Sequence, residues 1–175
     1  MSDAQPPRRE RTITWEDPMA TPREAARRKL SGMQFLRAIR DGELPPPPMA
    51  ALMGMTLATV EEGRVVFTVE PAEYHYNPIG VVHGGLAATL MDSAMGCAVQ
   101  TLAPYGVAYT TLELKVNLVR ALRSGMGVVS GEGVVLHFGR QIALAEARVI
   151  GPDGKLYAHA TSTCLIIRSS AAEGD

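Results

Sequence analysis

Apolar and polar residues alternate over 64–70, with Val65, Phe67 and Val69 on one face. They alternate again over 109–119, where Leu112, Leu114, Val116 and Leu118 oppose Glu113, Lys115 and Asn117. A period of two marks a half-buried strand. The segments 53–60, 126–138, 141–150 and 156–167 predict four further strands. They are punctuated by turns at Glu62-Gly63, Ser124-Gly125 and Gly151-Pro152-Asp153-Gly154. Short turns between consecutive strands predict antiparallel neighbours. The stretch 84–102 breaks this pattern: Leu86, Ala87, Leu90, Met91, Met95 and Val99 make it apolar nearly all round. Such a helix is enclosed by other structure on most of its sides.

Residues 1–48 follow a different pattern. Positions 1–21 are rich in Pro, Arg and Glu and lack periodicity, which predicts a flexible tail. Thr21-Pro22 offers a helix start, and 23–40 carries Ala26, Leu30, Met33 and Leu36 on one face, with Gly32 weakening its middle. The Arg27-Arg28-Lys29 cluster reads as the solvated face of that helix. Asp41-Gly42 ends it, and Pro45-Pro46-Pro47-Pro48 predicts a stiff extended spacer. The chain thus divides into an N-terminal extension (1–48), a domain of strands around one buried helix (49–168) and a polar tail (169–175). Two strands, a helix and four strands make an α+β protein, a curved antiparallel sheet wrapped around a central helix. One sheet covers only half of such a helix, so a partner subunit is expected over the rest.

At 175 residues the chain is long enough for one domain with a substantial core. A net charge of −1 supplies no electrostatic reason to bind nucleic acid or an anionic membrane. No uninterrupted apolar run of spanning length occurs, and the polar N-terminus does not resemble a secretory signal. Cys97 and Cys164 sit apart in apolar segments, as free thiols of a reducing compartment do. A cytoplasmic protein without a metal is the expectation.

The chemistry concentrates between Asn77 and Asp92. His83-Gly84-Gly85 opens the apolar helix. A helix N-terminus presents unpaired N–H groups with about half a positive charge, and glycines let a ligand come close to them. A carbonyl oxygen gaining negative charge fits there. Asp92 is the helix's one carboxylate, among small and apolar neighbours. Burying it is costly unless it is paired or used, and it suits a general base or nucleophile. Gly84 and Asp92 are eight residues apart, about 12 Å along a helix. One carbonyl cannot touch both within a chain, so a shared site needs two helices antiparallel across a two-fold axis. Asn77 and His83 are placed to orient substrate or water, or to hold the loop. Thr110 and Thr111 offer hydroxyls to Asp92.

Asn77, His83-Gly84-Gly85, Asp92 and the strand from Thr110 to Asn117 together resemble the hotdog-fold acyl-CoA thioesterases, most closely the phenylacetate-pathway (PaaI-like) type. The resemblance covers roughly 49–167. It implies a homodimer or dimer of dimers, a homotetramer, with active sites shared between subunits and coenzyme A present only as part of the substrate. It implies that the Gly84 or Gly85 amide polarises the thioester carbonyl, and that Asp92 of the facing subunit attacks it or activates water. Asn77 and His83 would help to place carbonyl and water, and Thr111, or Thr110, would be the hydroxyl partner. Arg120, Arg123 and Arg140 are candidates for the coenzyme A phosphates, and Leu86, Met91 and Met95 for an acyl pocket. Two rival readings share the fold: a non-catalytic acyl-CoA binder or sensor, and a dehydratase of acyl thioesters.

Overall fold

The computed structural model describes residues 7–168. The expected polar tail at 169–175 and the first six residues of the N-terminal tail lie outside them. Within 7–168 the order is α1 (Ala20–Arg27), α2 (Gly32–Arg40), α3 (Pro48–Met53), β1 (Met55–Glu61), β2 (Arg64–Val69), α4 (Gly84–Thr101), β3 (Val107–Leu118), β4 (Val129–Phe138), β5 (Ile142–Ile150) and β6 (Leu156–Arg168). The strands form one antiparallel six-stranded sheet in the order β1-β2-β4-β5-β6-β3, and α4 packs against it. This is the α+β layering that the pattern predicts.

One connection departs from expectation. Strand β3 does not pair with its successor β4; the link between them crosses the sheet, and β3 pairs with β6 at the far edge. The other edge, β1, is partly covered by α2 and α3. That leaves β3, twelve residues long, as the open edge. A long open edge presents a row of unpaired backbone groups ready to pair with another strand.

Helix α4 is not enclosed all round. Leu86, Ala87, Leu90, Met91, Ala94, Met95, Ala98 and Val99 are buried against the sheet. Ala88, Thr89, Asp92, Ser93, Cys97 and Gln100 form a half-buried stripe on the other side, at helical spacing. The polar residues of the helix fall on that stripe except the buried Thr101 at its end, a pattern which a composition dominated by Ala and Met hides. Leu86, Met91 and Met95, candidates for an acyl pocket or for the core, are buried core residues of the single chain. Gly133 on β4 explains how tightly the helix seats: any side chain there would collide with the backbone of Ala94.

The N-terminal segment also differs from its pattern. A single helix over 23–40 is interrupted at Lys29, whose φ of 51° lies in the left-handed region. Ser31 then caps α2 by a capping box with Gln34. Gly32 is the first residue of α2, not a weak middle, and a side chain there would strike the Gln100 carbonyl at the end of α4. Pro48 begins α3, where its fixed φ suits the first helical position, and Gly54 ends it with a φ of 68°. The expected strand start at Met53 is thus a helix end. Residues 7–19 have no regular element, yet they are tied down: the Arg11 guanidinium donates to the carbonyls of Ala51 and Leu52 and stacks on the Tyr74 ring at 4.0 Å.

Candidate active site

The loop between β2 and α4 is held by two side chains. His75 is buried; its Nδ1 accepts from the Ala72 amide at 3.0 Å, and its Nε2 then donates to the Met53 carbonyl at 3.0 Å. Burial, ahead of the nearby Arg11 charge, pushes the His75 pKa below its usual value. The Asn77 carboxamide oxygen accepts from the amides of Ile79 and Val81 at 3.1 and 3.3 Å, an Asx-type turn that shapes the loop from within. The loop then closes on itself, because the His83 amide donates to the His75 carbonyl at 2.8 Å.

His83 ends the loop as the N-cap of α4. Its Nδ1 accepts from the Gly85 amide at 2.8 Å, so the imidazole itself satisfies one of the unpaired N–H groups. A Cβ at Gly85 would lie 2.7 Å from that nitrogen, which is why the cap requires glycine. The geometry distinguishes the two glycines: Gly85 spends its amide on His83, whereas the Gly84 amide meets no acceptor among the described residues. Gly84 borders a cavity of about 310 Å³ together with Asn77, His83, Leu118, Arg120 and Tyr157. The sequence brings Asn77, His83 and Gly84 to one place, and the fold adds Arg120 to them.

Asp92 stands two turns further on, half-buried on the open stripe. Thr111 Oγ1 donates to its Oδ1 at 3.1 Å. A bulge in β3 selects Thr111 over Thr110. Pairing with β6 slips between Thr111 and Glu113, so Leu112 becomes the extra residue and is 56% exposed. Thr111 and Tyr109 therefore face the helix on one side of the bulge, and Leu114 and Val116 on the other, while Thr110 is exposed. The unbroken alternation read from the sequence had put Leu112 with Leu114.

The fold adds three further neighbours of Asp92: Tyr109, and Cys97 and Cys164, which the sequence marks only as free thiols. The Cys97 thiol is pushed up to about 12, by burial first and then by the Asp92 charge. Burial likewise raises the Tyr109 phenol and the Cys164 thiol, and the Asp92 charge adds to both. These groups ionise only to anions, and their raised pKa values keep added negative charge away from Asp92. Both cysteines are free. Among the described residues no group of three or more His, Cys, Asp or Glu is placed to hold a metal ion. No helix among them is long and apolar enough to cross a membrane.

The three candidate arginines are not brought together. Arg120 lines the Gly84 cavity and donates to the Leu156 carbonyl, and the exposed Arg123 follows it closely. Arg140 sits in the β4–β5 turn, at the opposite end of β5, roughly 27 Å away at the usual rise per residue.

A curved antiparallel sheet wrapped around one long helix is the hotdog fold. The thioesterase superfamily profile matches residues 79–158, which include both the helix mouth and Asp92. A Halobacterium salinarum protein that bears an esterase name is 30% identical over 107 residues, 59% of this chain and 70% of its own. A Listeria monocytogenes 1,4-dihydroxy-2-naphthoyl-CoA hydrolase is 25% identical, over 59% of this chain and 83% of its own. The crystal structure of a phenylacetic acid degradation-related protein from Ralstonia eutropha, described as a thioesterase, superposes with a TM-score of 0.67 at 26% identity, over 74% of this chain and 98% of that one. The chain belongs to the thioesterase superfamily, and that membership supports hydrolysis of a thioester as its general chemistry.

Proposed function

We propose that the protein is an acyl-CoA thioesterase of the PaaI-like type, which hydrolyses an acyl- or arylacyl-CoA to free acid and CoA in sites shared between two copies. The observation that carries this reading is the division of labour along α4. An amide without an acceptor at Gly84 and a Thr111-held carboxylate at Asp92 lie about 12 Å apart on one helix, beyond the reach of one carbonyl. The open β3 edge supplies the remedy. Antiparallel pairing of β3 with its copy would continue the sheet and bring two α4 helices alongside each other, Gly84 of one facing Asp92 of the other. The exposed Leu112, Leu144, Leu165 and Ile167 on the sheet's outer face fit a second, back-to-back contact and hence a dimer of dimers.

In this reading the thioester carbonyl accepts from the Gly84 amide at the positive end of α4. Asp92 of the other subunit attacks the carbonyl carbon, or takes a proton from the water that does. The tetrahedral oxyanion stays on the Gly84 amide until the C–S bond breaks and the CoA thiolate leaves. In the base route the thiolate takes up the proton that Asp92 removed from water. In the nucleophilic route the thiolate takes a proton from solvent, and a water then hydrolyses the acyl–Asp92 anhydride, freeing the acid and restoring the carboxylate. Thr111 fixes the carboxylate rotamer. His83 and Asn77 act on the loop that aims Gly84, and Arg120 and Arg123 flank the path of the CoA phosphates. Coenzyme A enters only as part of the substrate, and the chemistry asks for no further cofactor. A relative's name, 1,4-dihydroxy-2-naphthoyl-CoA hydrolase, supports the CoA ester as the class, and the name of the Ralstonia eutropha structure supports a thioester.

Thiol release from a panel of straight-chain and aromatic acyl-CoAs tests this. The wild type should turn over at least one member, and Asp92→Asn should lose about 10²–10⁴-fold in kcat while keeping its oligomer. Binding of the panel without thiol release by the wild type would leave a non-catalytic acyl-CoA binder instead.

A further inference from the structure

The catalytic reading leaves unused an apolar cavity of about 430 Å³ under the N-terminal extension. Its walls are Phe35 and Ile39 of α2, the proline run 45–48, Leu57 of β1 and Phe67 of β2, and it ends on Cys97 of α4. Acidic and basic groups, Glu16, Asp17 and Arg40, stand at its rim. The volume falls within the roughly 300–1,000 Å³ of small-molecule sites. Interiors are otherwise packed to crystal density, and empty apolar chambers stay dry and take apolar guests.

Its position relative to the site gives it a use. Cys97 lies on the same half-buried stripe of α4 as Asp92. The two are five residues apart, about 7.5 Å along the helix. Cys97 lies beyond Asp92 in the direction away from Gly84, and so away from a two-fold axis that would pass between Gly84 and Asp92. A thioester held at Asp92 therefore has the Gly84 cavity of the facing subunit on its CoA side and this chamber on its acyl side. Most of the chamber's walls come from residues outside the matched stretch 79–158, so the extension itself sets what fits.

We propose that the N-terminal extension builds the acyl pocket, and that its guest is an extended, medium-length alkyl chain. An acetyl group stops short of Cys97, and a ring attached close to the carbonyl ends before the chamber. Only a chain long enough to pass from Asp92 to Cys97, more than a helical turn further along α4, reaches the apolar walls. This assignment rests on the thioesterase reading for the placement of the thioester at Asp92.

The test uses S-ethyl-CoA, S-decyl-CoA and S-benzyl-CoA, thioethers that no thioesterase cleaves, titrated calorimetrically into the full-length protein. The wild type should bind S-decyl-CoA at least about tenfold more tightly than S-ethyl-CoA, since each buried methylene adds affinity. Ile39→Trp and Leu57→Trp, each filling the chamber from a different wall, should bring that ratio towards one and leave S-ethyl-CoA affinity within about twofold, with melting curves reporting that the variants fold. A wild-type ratio near one overturns the proposal. So does a ratio that survives in both folded tryptophan variants, or S-benzyl-CoA binding as tightly as S-decyl-CoA. Because no turnover is read, failure here is distinct from failure of Asp92→Asn to abolish thiol release.

Discussion

Thr111 reaches from β3 to α4 and donates its hydroxyl proton to Oδ1 of Asp92 at 3.1 Å. The contact exists because the bulge at Leu112 reverses the strand's phase and turns Thr111 towards the helix. It leaves the second carboxylate oxygen to a substrate or water.

Replacing that hydroxyl should therefore weaken catalysis more than stability. A hydrogen bond to a charged group contributes about 1.5–3 kcal/mol. Thr111→Val keeps the shape and loses the donor, and kcat should fall about ten- to a hundredfold. Thr111→Ser should restore most of it. Equal kcat values for the valine variant and the wild type would exclude a positioning role for Thr111.

The Gly84 amide can be deleted without deleting the helix. Gly84 is the first residue of α4, a position that tolerates proline, and His83 has φ −62° and ψ 134°, the extended backbone that proline demands of its predecessor. The new ring would press on Leu118 Cδ1, 2.5 Å from a Cβ built at Gly84, a flexible side-chain end able to yield. Gly84→Pro should retain its circular dichroism and lose about 10²–10³-fold in kcat, the usual cost of one oxyanion donor. Full activity would move the oxyanion site elsewhere.

Sharing of the site has a signature that a site within one chain cannot reproduce. Gly84→Pro and Asp92→Asn should each be nearly inactive alone. Refolded or co-expressed as mixed dimers, they would regain one intact site per heterodimer and one doubly damaged site. Thiol release should return to about half the wild-type rate per heterodimer. Sites confined to single chains would each carry one lesion, and activity would stay absent.

His75 makes stability depend on pH. Its pKa in the folded protein lies below the ordinary imidazole value of 6.5, chiefly through burial. The unfolded chain therefore binds the proton first as pH falls. The stability that neutral His75 contributes is complete above about pH 6.5 and is lost as pH falls through the lower, folded value. Urea midpoints between pH 7.5 and 5 should decline in the wild type, and the decline should be shallower in His75→Gln. Since the His75 carbonyl holds the His83 amide, acid should also loosen the helix mouth, raising KM before the protein unfolds.

The local signals were strong where chemistry dictates backbone. Alternation located β2 and, to within a few residues, the later strands; the unbroken apolar run located α4; His83-Gly84-Gly85 located its mouth. The spacing from Gly84 to Asp92 already meant that one carbonyl could meet both only across two chains, because helical rise is the same in any context. Asn77, His83 and Gly84 were legible as a group because a short loop keeps them together. Thr111 over Thr110, the exposure of Leu112, the removal of β3 from β4 to the sheet edge and the separation of Arg140 from Arg120 were decided only by tertiary structure. Each depends on a bulge or on pairings between residues far apart in the chain, and period-two alternation does not encode which partner a strand takes or where its phase slips. The chamber under α2 belongs to the same class: Phe35, Leu57 and Cys97 are ordinary apolar residues until the fold leaves space between them.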